Sequence, residues 1–288
     1  MEERLEGRTV LVTGATNGIG RVTARELARA GARVLLVARD ASRGAAAARE
    51  IREVSERDPD VLVADLSSRA EVLGLAREVR DRTGRLDLLV NNAGAIFAGR
   101  EVSADGVEMT FALNHLAYFL LTLELLDLLQ ASPGARIVNV SSSAHEGARM
   151  DWDDLQGERA YSMWKAYGQS KLANVLFTRE LSRRLGGRDV AANAVHPGAV
   201  ATGWGRNLPG LLGKVIAFGA PFLRSPEKGA RTTLHVATSP RLRGVTGKYF
   251  SDCREKTPSK AARDDAAALR LWQISEAMTQ PTTRLTTP

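Results

Sequence analysis

Thr9-Val10-Leu11-Val12-Thr13-Gly14-Ala15-Thr16-Asn17-Gly18-Ile19-Gly20 is the stretch that decides the fold of this chain. Its first five residues are apolar or β-branched, the composition of a buried strand. Gly14, Gly18 and Gly20 follow at once, and apolar residues then recur at helical period through Ala30. A strand that turns through glycines straight into a helix leaves unpaired helix N–H groups, and the positive end of the helix dipole, at the strand's carboxyl end. The glycines remove the side chains that would hold a ligand away from that backbone. Gly14-x3-Gly18-x-Gly20 therefore reads as an anion-binding turn. A plain glycine turn would lack the strand before it and the helix after it.

Outward from this turn, strands alternate with helices. Arg33–Val37, Val61–Ala64, Leu86–Val90, Arg136–Val140 and Val190–Val195 read as strands apolar on both faces, and Gly247–Phe250 as a seventh. Ala41–Arg57, Ser67–Thr83, Ala104–Gln130 and Ala166–Leu185 read as the helices between or after them. Such alternation predicts an α/β fold: a single Rossmann-type domain with an about seven-stranded parallel sheet, helices on both faces and right-handed crossovers. No linker or repeat interrupts residues 8–250, so one domain is expected over 1–277. The polar, Thr/Pro-rich stretch 278–288 is expected to be a loose tail.

Composition narrows the function classes. The 288 residues are 44% hydrophobic and 25% charged, an ordinary globular balance. The single cysteine, Cys253, excludes an internal disulfide and a multi-cysteine metal site, which suits a reducing cytoplasm. A net charge of +7 is spread along the chain, and Arg179, Arg183, Arg184 and Arg188 alternate with apolar residues like a solvated helix face. No basic stripe with interleaved aromatics is present, so nucleic acid is not an expected partner. His115, His145, His196 and His235 show no ligand spacing, and no catalytic metal is expected. Phe111–Leu129 is interrupted by Asn114, His115, Glu124 and Asp127 and reads as a buried helix, not a membrane span. Met1-Glu2-Glu3-Arg4 leads into a strand by Thr9, which predicts no signal peptide, no anchor and a cytoplasmic protein.

Several further motifs fall in a fixed order: Asn91-Asn92-Ala93-Gly94, Asn114, Ser142, Tyr167-x3-Lys171 and Pro197-Gly198. With the glycine turn, these resemble the short-chain dehydrogenases/reductases over about residues 8 to 250. Asn114-His115-Leu116, Leu155-Gln156-Gly157-Glu158 and Ser170-Lys171-Leu172-Ala173-Asn174 resemble the retinol dehydrogenase-like branch. The resemblance implies an oxidoreductase moving hydride between a nicotinamide dinucleotide and a small-molecule carbonyl or alcohol. It implies that Tyr167 exchanges the proton and that Ser142 hydrogen-bonds the substrate oxygen. Lys171 would hold the nicotinamide ribose, and Asn114 would shape a water relay to Lys171. Gly14, Thr16, Asn17, Gly18, Ile19 and Gly20 would carry the pyrophosphate, and Asp65 and Leu66 would flank the adenine. Asn91, Ala93 and Gly94 would line the cofactor; Pro197, Gly198, Val200 and Thr202 would close over the nicotinamide.

The chemistry of the pair can be argued directly. Tyr167 and Lys171 stand four apart and share a helix face. A free phenol has a pKa of about 10, and an adjacent ammonium can lower it by a unit or more. Positioned proton transfer of this kind is typically worth about 10²–10⁴ in rate. Tyr161 and Lys165 have the same spacing, but only the later pair runs on into a long amphipathic helix that would anchor it. Ser143 is the second choice to Ser142, and for Asp65 a cap of the following helix is nearly as good a reading. At the end of the second strand Ala38 replaces the aspartate of NAD-preferring relatives and Arg39 follows. NADP(H) is the expected cofactor, with NAD(H) left open through Asp40.

Trp204–Pro226 mixes glycine, proline and large apolar residues. It is expected to form a substrate lid near 203–226 that meets a lipophilic substrate; an oligomer contact, a membrane-surface contact or plain core are the other readings. A homodimer or homotetramer is compatible with the sequence. The competing function is a non-catalytic NADP(H)-binding regulator or scaffold, which would be free to lose Tyr167 or Lys171.

Overall fold

The computed structural model describes residues 4–55, 57–198, 224–281 and 285. Strand β1 (Thr9–Thr13) turns into helix α1 (Gly18–Arg29), followed by β2 (Arg33–Ala38), α2 (Ala41–Arg52), β3 (Asp60–Val63), α3 (Arg69–Arg82) and β4 (Leu88–Asn91). A long interrupted helix comes next: α4 (Met109–Phe111), a π-helical turn (Ala112–Leu116), α5 (Ala117–Glu124) and α6 (Leu126–Gln130). Then come β5 (Ala135–Val140), α7 (Met163–Leu185), β6 (Val190–His196), α8 (Pro226–Thr238), β7 (Tyr249–Ser251), β8 (Arg254–Lys256) and α9 (Asp265–Thr279). The sheet order is β3-β2-β1-β4-β5-β6-β7-β8. All pairs are parallel except β7 with β8.

Strand periodicity divides the core between the two faces of the sheet. Leu11, Leu35 and Leu89 point to one side and pack with Phe119, Phe177 and Trp272 from α5, α7 and α9. Val10, Val12, Leu36 and Val90 point to the other, against Leu27 of α1 and Val236 of α8. Strand order reverses beside β1, whose neighbours are β2 and β4, and this opens a crevice at the carboxyl ends of the strands.

The single Rossmann-type domain is as expected, with one strand more than the seven read from sequence. The eighth, β8, is three residues long, antiparallel and charged, too short for a periodicity signal. The expected helix 41–57 stops at Arg52, with Glu53 as its cap. The expected helix 104–130 starts only at Met109: Gly106, at φ +75, turns the chain back so that Val102 bridges Glu108. The Glu108 carboxylate then caps the N–H groups of Thr110 and Phe111.

Helices α8 and α9 were not among the expected elements. Each carries an ordinary start signal, Ser225 before Pro226 and Asp264 before Asp265. Residues 199–223, and with them Val200, Thr202 and nearly all of the expected lid, lie outside the described residues; positions 224–226 lead into α8. In the expected tail, Met278 and Thr279 complete the last turn of α9. Leu285 is buried, and its carbonyl accepts from the Arg184 guanidinium. Among the described residues no helix is long and apolar enough to cross a membrane.

Candidate active site

The glycine turn is held against the exit of β4 by contacts that leave no space for side chains. Gly14 has φ +63, and a Cβ there would lie 2.8 Å from the Cα of Ala93. At Gly20 a Cβ would lie 2.3 Å from Asn92 Nδ2 and 2.4 Å from the Gly14 carbonyl oxygen. The Thr13 hydroxyl accepts from the N–H groups of Asn92 (2.8 Å) and Ala93 (3.0 Å), while Asn92 Nδ2 donates to the Thr13 carbonyl at 2.8 Å. Asn17 caps α1, its Oδ1 accepting from Gly18 N–H at 2.8 Å. Ile19 packs under the turn against Val22 and Ala230, and Thr16 is half-buried beside it. Thr13 and Asn92 were not read as functional, yet they fix the cradle. Their place at the facing ends of β1 and β4 was the available signal.

Farther along the crevice, Arg39 is exposed after β2, whereas Asp40 is committed as the cap of α2. The Asp40 carboxylate accepts from Arg43 N–H at 2.8 Å and Ser42 Oγ at 2.6 Å, and these bonds hold its pKa down. Asp65 turns its own loop, accepting from Ser67 N–H at 2.9 Å and Ser67 Oγ at 2.7 Å. The cap of α3 is Ser68, not Asp65, and Leu66 is buried in the core. Asn91 departs from expectation more sharply. Its side chain donates to Thr122 Oγ1 (3.0 Å) and Asn139 Oδ1 (2.8 Å), and Asn139 donates on to Thr178 Oγ1 (2.9 Å). Asn91 therefore belongs to a buried polar ladder under α5 and α7, and its side chain does not line the crevice.

The expected acid–base residues converge at the carboxyl ends of β4 and β5. Asn114 sits in the π-helical turn, where the Ala117 N–H reaches Ala112 O; such turns are frequent at functional sites. Asn114 Oδ1 accepts from Ala95 N–H at 2.9 Å, and its Nδ2 donates to Ala95 O (2.9 Å) and Ser170 Oγ (3.1 Å). Ser170 Oγ donates in turn to the Tyr167 carbonyl at 2.8 Å. Lys171 is buried and donates from Nζ to Val140 O at 3.1 Å, with the Tyr167 ring centroid 5.7 Å away. A Cβ on Gly94 would stand 3.1 Å from Asn114 Oδ1 and 3.5 Å from Lys171 Nζ. The Tyr118 hydroxyl, a further neighbour the sequence did not single out, donates to Ala93 O at 2.8 Å.

The three serines after β5 separate cleanly. Ser141 is buried and donates to the Lys171 carbonyl at 2.7 Å. Ser143 is exposed, with its backbone N–H on His196 Nδ1 at 3.1 Å. Of the three, Ser142 is the one whose side chain interacts with that of Tyr167. Gly168, next to Tyr167, lets α7 press on this turn: a Cβ there would lie 3.2 Å from Ala144 O. The rival pair is dispersed. Tyr161 precedes α7 and donates to Phe97 O at 2.9 Å, and Lys165 pairs with Asp151 at 2.6 Å on the surface.

Burial governs the ionisation of the site. It raises the Tyr167 phenol above its ordinary 10, opposed only by the Ser142 hydrogen bond. It lowers the Lys171 amine to about 8. The expected depression of the tyrosine by the lysine is thus outweighed by the removal of both groups from water. A protonated phenol beside an amine that titrates near neutrality can deliver a proton to an oxygen and recover one from solvent. His115 is packed away from this centre, its Nε2 2.9 Å from Ser275 Oγ, and burial pushes its pKa down to about 3. Pro197 and Gly198 leave β6 at the same end of the sheet, with Gly198 at φ +88 against the Arg224 side chain.

A phosphate-turn at the switch point of a parallel sheet, with a serine–tyrosine–lysine cluster beyond it, defines the class of dinucleotide-dependent oxidoreductases. A family model described as short chain dehydrogenase matches residues 8–209, and the chain belongs to that family. It is 42% identical to retinol dehydrogenase 14 of Homo sapiens over 95% of this chain and 87% of that protein. It is 45% identical to retinol dehydrogenase 12 of Mus musculus over 94% of this chain and 86% of that protein. Among solved structures, the Pseudomonas aeruginosa RhlG/NADP active-site complex superposes with a TM-score of 0.71 at 28% identity, covering 91% of this chain and 100% of that one.

Proposed function

We propose that this oxidoreductase reduces a lipophilic aldehyde or ketone with NADPH, or runs the reverse oxidation, with Tyr167 as general acid/base. The observation that carries the reading is the convergence of the half-buried Ser142 and Tyr167 side chains, which interact, with the buried Lys171 amine 5.7 Å from the tyrosine ring centroid. The cradle fits a dinucleotide: Gly14 and Gly20 leave no room for a Cβ against Ala93, Asn92 and the Gly14 carbonyl, which draws the turn tight beneath the N-terminus of α1, where helix N–H groups favour an anion. Bound there, the nicotinamide would supply or accept the hydride. Gly14, Thr16, Asn17, Gly18, Ile19 and Gly20 would hold its pyrophosphate, and Asp65, Ala93, Gly94, Pro197 and Gly198 would line the rest. In reduction, Ser142 orients the carbonyl oxygen, Tyr167 donates its phenolic proton to it, and the Lys171 ammonium stabilises the phenolate left behind. Asn114 fixes the π-helical turn against Ala95 and α7 and so sets the wall facing Lys171.

Arg39 supports NADP(H) over NAD(H). It is exposed where a ribose 2′-phosphate would lie, and the nearest carboxylate, Asp40, is already spent on the α2 cap. The relatives named as retinol dehydrogenases support an apolar alcohol/aldehyde pair. The test is a panel of aliphatic, aromatic, retinoid and steroid carbonyls with NADPH and with NADH, following loss of the reduced-nicotinamide absorbance. Turnover should fall by about 10² or more in Tyr167→Phe and survive in Tyr161→Phe. Tight NADPH binding with no consumption across the panel would refute catalysis and favour a regulatory cofactor-binding role.

A further inference from the structure

His145 lies outside the proton-transfer set, yet it is fully buried three residues after Ser142. Its Nδ1 is 2.7 Å from the Ser142 carbonyl oxygen, and its Nε2 is 3.4 Å from the backbone N–H of Ser259, on the segment after β8. The ring packs edge-on against Tyr249 of β7, with centroids 4.8 Å apart. These partners leave one arrangement of protons. A carbonyl can only accept, so Nδ1 carries a hydrogen; a backbone N–H can only donate, so Nε2 carries a lone pair. The ring is therefore a neutral Nδ1–H tautomer bridging the Ser142 turn to the chain after β8.

We propose that His145 is a positioning residue: by holding the Ser142 carbonyl it fixes the turn that aims the Ser142 hydroxyl at Tyr167. The inference rests on the catalytic reading of Ser142 and Tyr167. The same carbonyl also accepts the His145 backbone N–H at 3.2 Å, and Ser142 Oγ accepts from Ala144 N–H at 3.2 Å. The serine's own proton is thus left to point at Tyr167 or at a substrate oxygen. Burial lowers the His145 pKa and keeps the ring neutral, against the Ser142 carbonyl contact and Glu146 on the same turn; among the described residues His196 of β6 and Tyr249 of β7 also face it.

Two measurements test this. A long-range proton–nitrogen spectrum of the wild-type protein at neutral pH, with the His145 signals assigned by their loss in His145→Gln, should show a protonated Nδ1 and a bare Nε2. The opposite tautomer, or an imidazolium, would overturn the proposal without reference to turnover. The second measurement compares two amides. Asparagine places its amide nitrogen the same number of bonds from Cβ as Nδ1, whereas glutamine places its amide where Nε2 lies.

With NADPH and the fastest carbonyl of the panel, His145→Asn should keep kcat within about threefold. His145→Gln should lose about 10–100-fold in kcat with little change in KM or in NADPH affinity, as a small misalignment of a reacting group does. Equal kcat in all three proteins, or equal losses in both variants, would overturn the proposal. Tyr167→Phe in the same assay separates the two failures. An active Tyr167→Phe removes the catalytic reading itself; an inactive Tyr167→Phe beside a fully active His145→Gln removes only the role of His145.

Discussion

Replacing Lys171 by methionine should make the folded protein more stable while abolishing turnover. The amine is buried, and burial alone lowers its pKa from 10.5 to about 8. At roughly 1.4 kcal/mol per pH unit, that interval corresponds to about 3 kcal/mol of cost for the charged form in the folded state at neutral pH. The sign follows from proton counting. Between about 8 and 10.5 the unfolded chain binds this proton and the folded chain does not, so wild-type stability rises with pH across that window. Below it the full cost is present. Methionine matches the lysine stem without the charge, and the Val140 carbonyl it abandons keeps a donor in Asn174 Nδ2 at 3.2 Å. Val140 is not left unpaired, so the gain should be about 1–3 kcal/mol at pH 7 and fade as the pH passes 10.5. Urea unfolding midpoints of both proteins, without cofactor, at successive pH values between these limits would measure it. Other groups titrate in this range but are common to both chains, so the difference between the two curves isolates Lys171. Parallel curves would refute the reasoning.

Reductive kcat/KM should be level below pH 8 and fall by up to tenfold per pH unit above it, as the Lys171 ammonium near the Tyr167 phenolate is lost; a rate profile of the wild type against Lys171→Arg, which should lack that limb, checks this. Gly20→Ala should cost about 2–5 kcal/mol in urea unfolding and weaken NADPH binding, because the new methyl would meet both Asn92 Nδ2 and the Gly14 carbonyl oxygen. Arg39→Ala should weaken NADPH by about 1–2 kcal/mol and leave NADH nearly unchanged, a preference read from two fluorescence titrations.

Much of this architecture is legible in the chain because each signal is local. The glycine turn, its strand and its helix lie within one stretch, and Val10, Leu11 and Val12 show by their uniform apolarity that both sheet faces are covered. Tyr167 could be chosen over Tyr161 because α7 begins between them, at Met163. The inward direction of the Asn91 side chain was legible in strand periodicity. Leu89 and Asn91 are two apart and share a face, and Leu89 points into the core under α5 and α7. The ionisation of Tyr167 was not legible, since it depends on how far two neighbouring groups are withdrawn from water, a property of tertiary packing. Helix α9 was hidden by the polar residues that follow it, although Trp272 at its centre makes edge-on contact with Phe119, their centroids 4.9 Å apart.

The site's rigidity has an identifiable source. Lys171 and Asn114 are buried polar groups, costly unless firmly paired, and a strained or mobile frame would lose the Ser142–Tyr167 contact first. Thr122, Asn91, Asn139 and Thr178 join α5, β4, β5 and α7 in one run of side-chain hydrogen bonds beneath that contact. Thr178 donates on to Asn174 O at 2.7 Å, and Asn174 shares the Val140 carbonyl with Lys171. The ladder therefore ends on the carbonyl that holds the Lys171 amine. A core of aliphatic residues at these positions would avoid the desolvation cost, but dispersion contacts do not fix direction as hydrogen bonds do. The ladder spends stability to hold one register of α7 against β5, which is the register that brings Tyr167 to Ser142.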